Sequence, residues 1–224
     1  MNNMTRVNLL ENWIQGIREN DNYYCFDTWK YRLSGTVLEL SVIPANTRNR
    51  NIYRCSAITI GQILKTLSSH IENEGLHFHI QSFPNIENPE IIAAIRMDEN
   101  SYHLPEVFPK IENSEKLKTF REWLLHLSDN YQFKLEPTLK PEHFTSVFTT
   151  NQPVAWYALT SISDNPFTWL NLGYWKETIL TEAKKIFPET ELIIHDFCKY
   201  RDDTLNQMDK SPGSILQAYI TFTL

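Results

Sequence analysis

Arg48-Asn49-Arg50-Asn51-Ile52-Tyr53-Arg54-Cys55-Ser56-Ala57-Ile58-Thr59-Ile60-Gly61-Gln62-Ile63-Leu64 continues through Leu67 to a stop near Gly75. Pro44 to Tyr53 reads as a polar loop carrying Arg48 and Arg50. From about Cys55 the residues predict a helix, apolar along so much of its length that it must be buried in a core or against a partner. His77-Phe78-His79-Ile80-Gln81-Ser82-Phe83 then alternates as a strand does. A buried helix feeding an alternating strand makes this stretch the architectural centre of the chain.

Working outward toward the N-terminus, Thr36 to Ile43 and Lys30 to Leu33 flank Ser34-Gly35, the pattern of a hairpin with a glycine-containing turn. Before it, apolar residues at 7, 9, 10, 13, 14 and 17 predict a helix over Val7 to Arg18, broken by Asn20-Asp21-Asn22. Toward the C-terminus, Pro84 to Pro89 reads as a turn and Ile91 to Ile95 as a buried strand. Pro105 to Pro109 marks a break. Ser114 is positioned to cap a helix through about Leu127. Residues 130 to 145 read as loop-like, with a short helix after Pro141. Val154 to Thr160 predicts a strand, and Asn165 or Thr168 opens a second long helix that runs to Ile186 and ends at Pro188. Glu191 to Ile194 reads as a strand, Asp202 to Met208 as a short helix and Ile215 to Thr223 as a closing strand. No repeat, low-complexity tract or linker stands out. The order predicts one α+β domain over 1–224, a central, mostly antiparallel sheet covered by helices. Two long apolar helices in one such domain lead us to expect a homodimer.

Composition narrows the function. Hydrophobic residues make up 42% and charged residues 21% of the 224, ordinary for a globular protein with a sizeable core. A net charge of -6 gives no electrostatic reason to expect nucleic acid or an anionic membrane. No run reaches the ~20 apolar residues that span a bilayer, and the N-terminus lacks an apolar signal core. Cys25, Cys55 and Cys198 are odd in number and far apart, as free thiols of a reducing compartment are, so the expected location is cytoplasmic. Glycine is scarce, with 6 residues, and neither GxGxxG nor GxxxxGK[ST] occurs. These features argue against Rossmann and P-loop enzymes.

The layout resembles the nitroreductase fold, and within it the Acg-like branch. The matching segments are Cys25-Phe26-Asp27-Thr28-Trp29-Lys30-Tyr31-Arg32, Ala45-Asn46-Thr47-Arg48-Asn49-Arg50 leading into Cys55-Ser56-Ala57-Ile58-Thr59-Ile60, Phe83-Pro84 with Asn88-Pro89-Glu90-Ile91-Ile92-Ala93, Trp169-Leu170-Asn171-Leu172-Gly173, and Ser211-Pro212-Gly213-Ser214-Ile215-Leu216-Gln217. The resemblance implies bound FMN, a nicotinamide electron donor, a homodimer, and flavin contacts at Trp29, Arg48, Arg50, Arg54, Ser56, Trp169 and Gly173. The chain departs from the family in several places. The N-terminal Arg-Ser-x-Arg phosphate motif is absent, Cys25-Phe26-Asp27-Thr28 replaces the Asn-x-Gln-Pro loop, and the helix glycine is Ala57. A phosphate dianion is usually held by charge-assisted bonds, which leaves Arg48, Arg50 and Arg54 as the substitutes.

Each of these residues also has a plain structural reading. Arg48, Arg50 and Arg54 fit either an anion site at a helix N-terminus or a solvated loop. Trp29 fits a flavin-side ring or a buried hairpin aromatic. Gly173, mid-helix, fits close helix packing or room for a planar ring. His70, His77 and His79 lack a recognised ligand spacing, and His195 with Cys198 lacks an orienting third residue. The expectation is an FMN-associated oxidoreductase homologue with a partly eroded flavin site and no catalytic side chain or metal ligand to name. The alternative is a non-catalytic dimeric binding or interaction protein that keeps the fold without flavin.

Overall fold

The computed structural model describes residues 3–19, 26–85, 87–98, 116–139, 155–188, 190–196 and 213–223. The chain divides into two compact units, Met1–Val107 with Asn165–Glu177, and Phe108–Asp164 with Thr178–Leu224. The α+β class expected from the sequence is found. The described strands, however, form two four-stranded antiparallel sheets rather than one central sheet. Alternation marks a strand without naming its partner, so the sheet count was open to the sequence only as a guess.

The first unit opens with α1 (Asn3–Arg18), which begins before the expected Val7. β1 (Trp29–Ser34) and β2 (Val37–Val42) form the hairpin, with Trp29 opposite Val42 and Ser34 opposite Val37. α2 spans Arg50–Asn73, so the expected loop over Pro44 to Tyr53 is corrected: its last residues are the first turn of the helix. The reason is Asn49, whose side chain accepts from the backbone N–H groups of Asn51 at 3.1 Å and Ile52 at 3.2 Å. It satisfies donors that a helix N-terminus otherwise leaves open. At the other end Gly75 takes φ 69°, its N–H donating to Glu72 and that of Leu76 to Ile71, a Schellman closure that a residue without Cβ enters freely.

β3 (Phe78–Ser82) and β4 (Ile91–Met97) complete the first sheet in the order β1-β2-β4-β3. Leu38, Leu40, Val42, Ala93, Ile95 and Met97 are buried, and α2 lies against β2 and β4 with α1 against α2. Every α2 residue from Arg54 to Leu64 is buried, the polar Arg54, Ser56, Thr59 and Gln62 included, so this stretch is covered on all its faces. Its large side chains, Ile58, Ile60, Ile63, Leu64 and Leu67, each contribute about 1.5–3 kcal/mol by leaving water.

The second unit holds α3 (Lys116–Asn130), β5 (Lys134–Thr138), β6 (Ala155–Ser161), the later part of α4 (Pro166–Ile186), β7 (Glu191–His195) and β8 (Ile215–Thr223). Its sheet runs β5-β6-β8-β7. Over residues 134–138, β5 corrects the loop expected over 130 to 145, and the short helix expected after Pro141 lies outside the described residues. β5 contains Pro137, which an edge strand tolerates because the missing N–H breaks no ladder bond on the open side. Phe120 packs edge-on against Phe187 at 5.0 Å and Phe222 at 4.7 Å, forming an aromatic centre on one face of the sheet. The Ser114 cap and the helix over Asp202 to Met208 lie outside the described residues.

A repeat invisible in the sequence links the two halves. Each has the order α-β-β-α-β-β and the same strand order. In each, the pairing of the second strand with the fourth shifts register near the end of the second strand, between Leu40 and Ser41 and between Leu159 and Thr160. The extra residue is Ile92 on β4 and Gln217 on β8, a bulge at the same place in both sheets. The second helix of each half also starts from an asparagine. Asn165 Oδ1 accepts from the Thr168 N–H at 3.0 Å, as Asn49 does in α2.

Candidate functional site

Three of the residues expected to hold a flavin, Arg50, Trp169 and Gly173, come together where α2 meets the first part of α4, inside the first unit. Trp169, 3% exposed, stands edge-on to Tyr53 with ring centroids 6.1 Å apart, and the Arg50 guanidinium lies 5.7 Å from the Trp169 ring. Further along, Gln62 Nε2 donates to Glu177 Oε2 at 3.4 Å and Lys65 Nζ lies 5.9 Å from the Tyr174 ring. Between these contacts the two backbones touch. A Cβ on Gly173 would press on the Ile58 carbonyl oxygen and lie 2.7 Å from its carbon. A Cβ on Gly61 would press on the Leu170 carbonyl oxygen, 2.8 Å from the Tyr174 nitrogen. The glycines are therefore the crossing point of two helices, and Gly173 opens room for a neighbouring backbone.

Not all the expected residues share this crossing. Ser56 is buried in α2, its Oγ 2.7 Å from Thr28 Oγ1 and 2.8 Å from the Ile52 carbonyl. It donates to the carbonyl and leaves its lone pairs to Thr28, tying the start of β1 to the helix. Trp29 is buried opposite Val42. Arg54, 2% exposed, is buried in α2 and presents no charge to solvent. Arg48 and Arg50 are exposed, one just before α2 and one at its first residue.

Beside them, Phe83 holds φ 49°, a region that bulky side chains rarely enter. Its N–H donates to the carbonyl of the bulge residue Ile92 at 2.8 Å, and its ring lies 4.3 Å from that of Phe167, which is 56% exposed. The Tyr53 hydroxyl donates to the Pro89 carbonyl at 2.9 Å, and burial pushes its pKa above the ordinary 10.0.

The histidines go separate ways. His70 stacks on Trp13 at 5.5 Å, His79 Nε2 meets Asp98 at 2.8 Å, and His195 stacks on Trp156. Among the described residues no group of three or more His, Cys, Asp or Glu could hold a metal ion. Cys198, the companion considered for His195, lies outside them, as does Cys25. Among the described residues no helix is long and apolar enough to cross a membrane.

Sequence reasoning passed over a groove of about 390 Å³ in the first unit, lined by Lys30, Tyr31, Arg32, Glu39, Ser41, Asn88, Glu90 and Ile91. Lys30 stands opposite Ser41, and Arg32 opposite Glu39, on the sheet face turned away from α2. Arg32 and Glu39 neutralise each other, with Nη2 to Oε2 at 2.7 Å. The β3–β4 loop closes the groove, held by the Tyr53–Pro89 bond and by Asn88 Oδ1, which accepts from the Glu90 N–H at 3.2 Å. Hairpin register is the signal that could have found it, since it places Lys30, Arg32, Glu39 and Ser41 on one face.

No family model matches the chain, and no curated protein matches it.

Proposed function

We propose that this chain is a non-catalytic binding protein, built as two units of like topology, in which the residues that would serve a flavin serve helix packing instead. The observation that carries this reading is the closed crossing of α2 on α4, where Gly173 meets the Ile58 backbone and Gly61 meets Leu170. An isoalloxazine ring needs a slot, and the glycine that could open one is filled by the neighbouring main chain. Ser56, Trp29 and Arg54 are buried in the fabric of the unit, so this set does not fit FMN between the helices. Function follows the site and not the fold class; the filled crossing speaks against flavin turnover there, and the groove lined by Lys30, Ser41 and Glu90 supports a binding role.

One arrangement favours the second reading, an FMN-associated oxidoreductase homologue drawing on a nicotinamide donor. Exposed Arg48 and Arg50 flank the Asn49 cap of α2, where helix N–H groups favour an anion. An absorption spectrum of the purified protein and a titration with FMN separate the two. We expect no flavin absorption, no FMN uptake and no oxidation of NADPH with an added acceptor. Tight FMN binding that Arg50→Ala weakens by roughly 1.5–3 kcal/mol, the scale of a hydrogen bond to a charged group, would establish the second reading instead.

A further inference from the structure

The groove on the first sheet is lined by two opposite charges, Lys30 and Glu90, with no ion pair among the described residues. Among the described residues the Lys30 ammonium and the Glu90 carboxylate have no ion pair, either with each other or with Arg32 and Glu39, which are taken up by one another. Between them Ser41, 7% exposed, lines the groove with a hydroxyl that has no hydrogen-bond partner among the described residues. The Ser41 Oγ is not among the buried polar atoms left without a partner, so this hydroxyl opens onto the groove and is free to bond a ligand there. Ile91, which stands opposite Ser41, adds apolar surface. The volume falls within the range of small-molecule sites, about 300–1,000 Å³.

The second half of the chain supplies an internal control. Its register places Lys134 opposite Thr160, and Thr160 opposite Leu216 across the bulge, matching Lys30 opposite Ser41 and Ser41 opposite Ile91. There the lysine is neutralised by Glu136, with Nζ to Oε1 at 2.5 Å, and Thr160 Oγ1 donates to the Lys134 carbonyl at 3.4 Å. Ile215 stands before Leu216 where Glu90 stands before Ile91. Two sheets of one topology thus treat the same location differently. One satisfies its polar groups internally, and the other leaves an ammonium, a carboxylate and a hydroxyl open in a groove.

We infer that this groove binds a small zwitterion of the amino-acid class, free or as a short peptide. The inference deepens the binding-protein reading and rests on it. The ligand carboxylate meets Lys30 and the Ser41 hydroxyl, the ligand ammonium meets Glu90, and the ligand side chain lies along Ile91. Spaced opposite charges select a molecule carrying both signs over a simple anion or cation, because either half alone leaves one protein charge unmatched.

The test uses the full chain in a thermal-shift titration with each proteinogenic amino acid, with glycylglycine as the peptide probe, and with acetate and methylammonium as half-ligands. At least one amino acid or glycylglycine should raise the melting temperature saturably. Lys30→Met and Glu90→Gln should each weaken that binding by roughly tenfold or more, the scale of a lost charged hydrogen bond. Arg96→Gln, on the same sheet and outside the groove, should leave it unchanged. A response to free amino acids and not to glycylglycine identifies the free molecule as ligand, and the reverse identifies the peptide. Silence toward every zwitterion, an equal response to acetate or methylammonium, or full binding by both groove variants overturns the inference. FMN is titrated into the same preparation. Silence toward both FMN and zwitterions overturns the groove alone, whereas FMN uptake overturns the reading on which it rests.

Discussion

Glycine at 61 and glycine at 173 are residues whose value lies in what they lack. Replacing Gly173 by alanine removes a helix-breaking residue, a gain of about 1 kcal/mol by propensity. It also drives a methyl into the Ile58 main chain, which no rotamer change can clear. Overpacking of this kind costs typically 1–3 kcal/mol, and more where backbone must move. We expect Gly173→Ala to lower the unfolding free energy in urea despite the propensity gain, and Gly61→Ala to do the same. Gly16 is the matched control: it is exposed in α1 with nothing within 4 Å of an added Cβ, so Gly16→Ala should stabilise by about 0.5–1 kcal/mol. Tyr53 adds a pH dependence. Its phenol pKa is raised by burial, so the folded state holds the proton more tightly than the unfolded chain does. The stability linked to it is complete below the ordinary 10.0 and is lost as pH rises through the folded value. Alkaline denaturation curves of Tyr53→Phe should fall less steeply above that pH than those of the parent protein.

The elements were legible to different depths. The body of α2, the β1–β2 hairpin, β4 and α4 could be read from periodicity and punctuation, because Gly75, Pro188 and the turn at Ser34-Gly35 end their elements chemically. The start of α2 was missed. Arg48 and Arg50 drew attention as a polar loop, while Asn49 between them was the cap that turns the chain helical. β5 was missed because its five residues, Lys134-Leu135-Glu136-Pro137-Thr138, are mostly polar and include a proline that only an edge position tolerates. The candidate site was legible as a neighbourhood, since Arg50, Trp169 and Gly173 do converge with α2. Its character was not legible, because whether Gly173 faces a ring or a backbone depends on a tertiary contact. The groove escaped because its residues come from β1, β2 and the β3–β4 loop, and only strand pairing assembles them. The cap itself is testable. Asn49→Ala should cost about 1 kcal/mol in chemical denaturation and Asn49→Ser should recover most of it, since serine also accepts from the first turn.

Across the whole molecule, the sequence argument for a homodimer was that two long apolar helices exceed what one domain can hide. The crossing supplies cover from within, because the first part of α4 lies on the face of α2 that Gly61 marks. We therefore expect static light scattering at micromolar concentration to report the mass of one chain, and a doubled mass would show that a surface other than this crossing joins two copies. The same partition predicts that residues 1–107 alone, lacking 165–177 of their own unit, will self-associate or fail to fold in size-exclusion chromatography with circular dichroism. There is a consequence for heredity as well. A unit whose last piece is encoded downstream of part of the other unit has no clean breakpoint in its gene. Recombination that carried off either half would separate a core from its cover, so the two halves are bound to be inherited, lost or fused to new partners together.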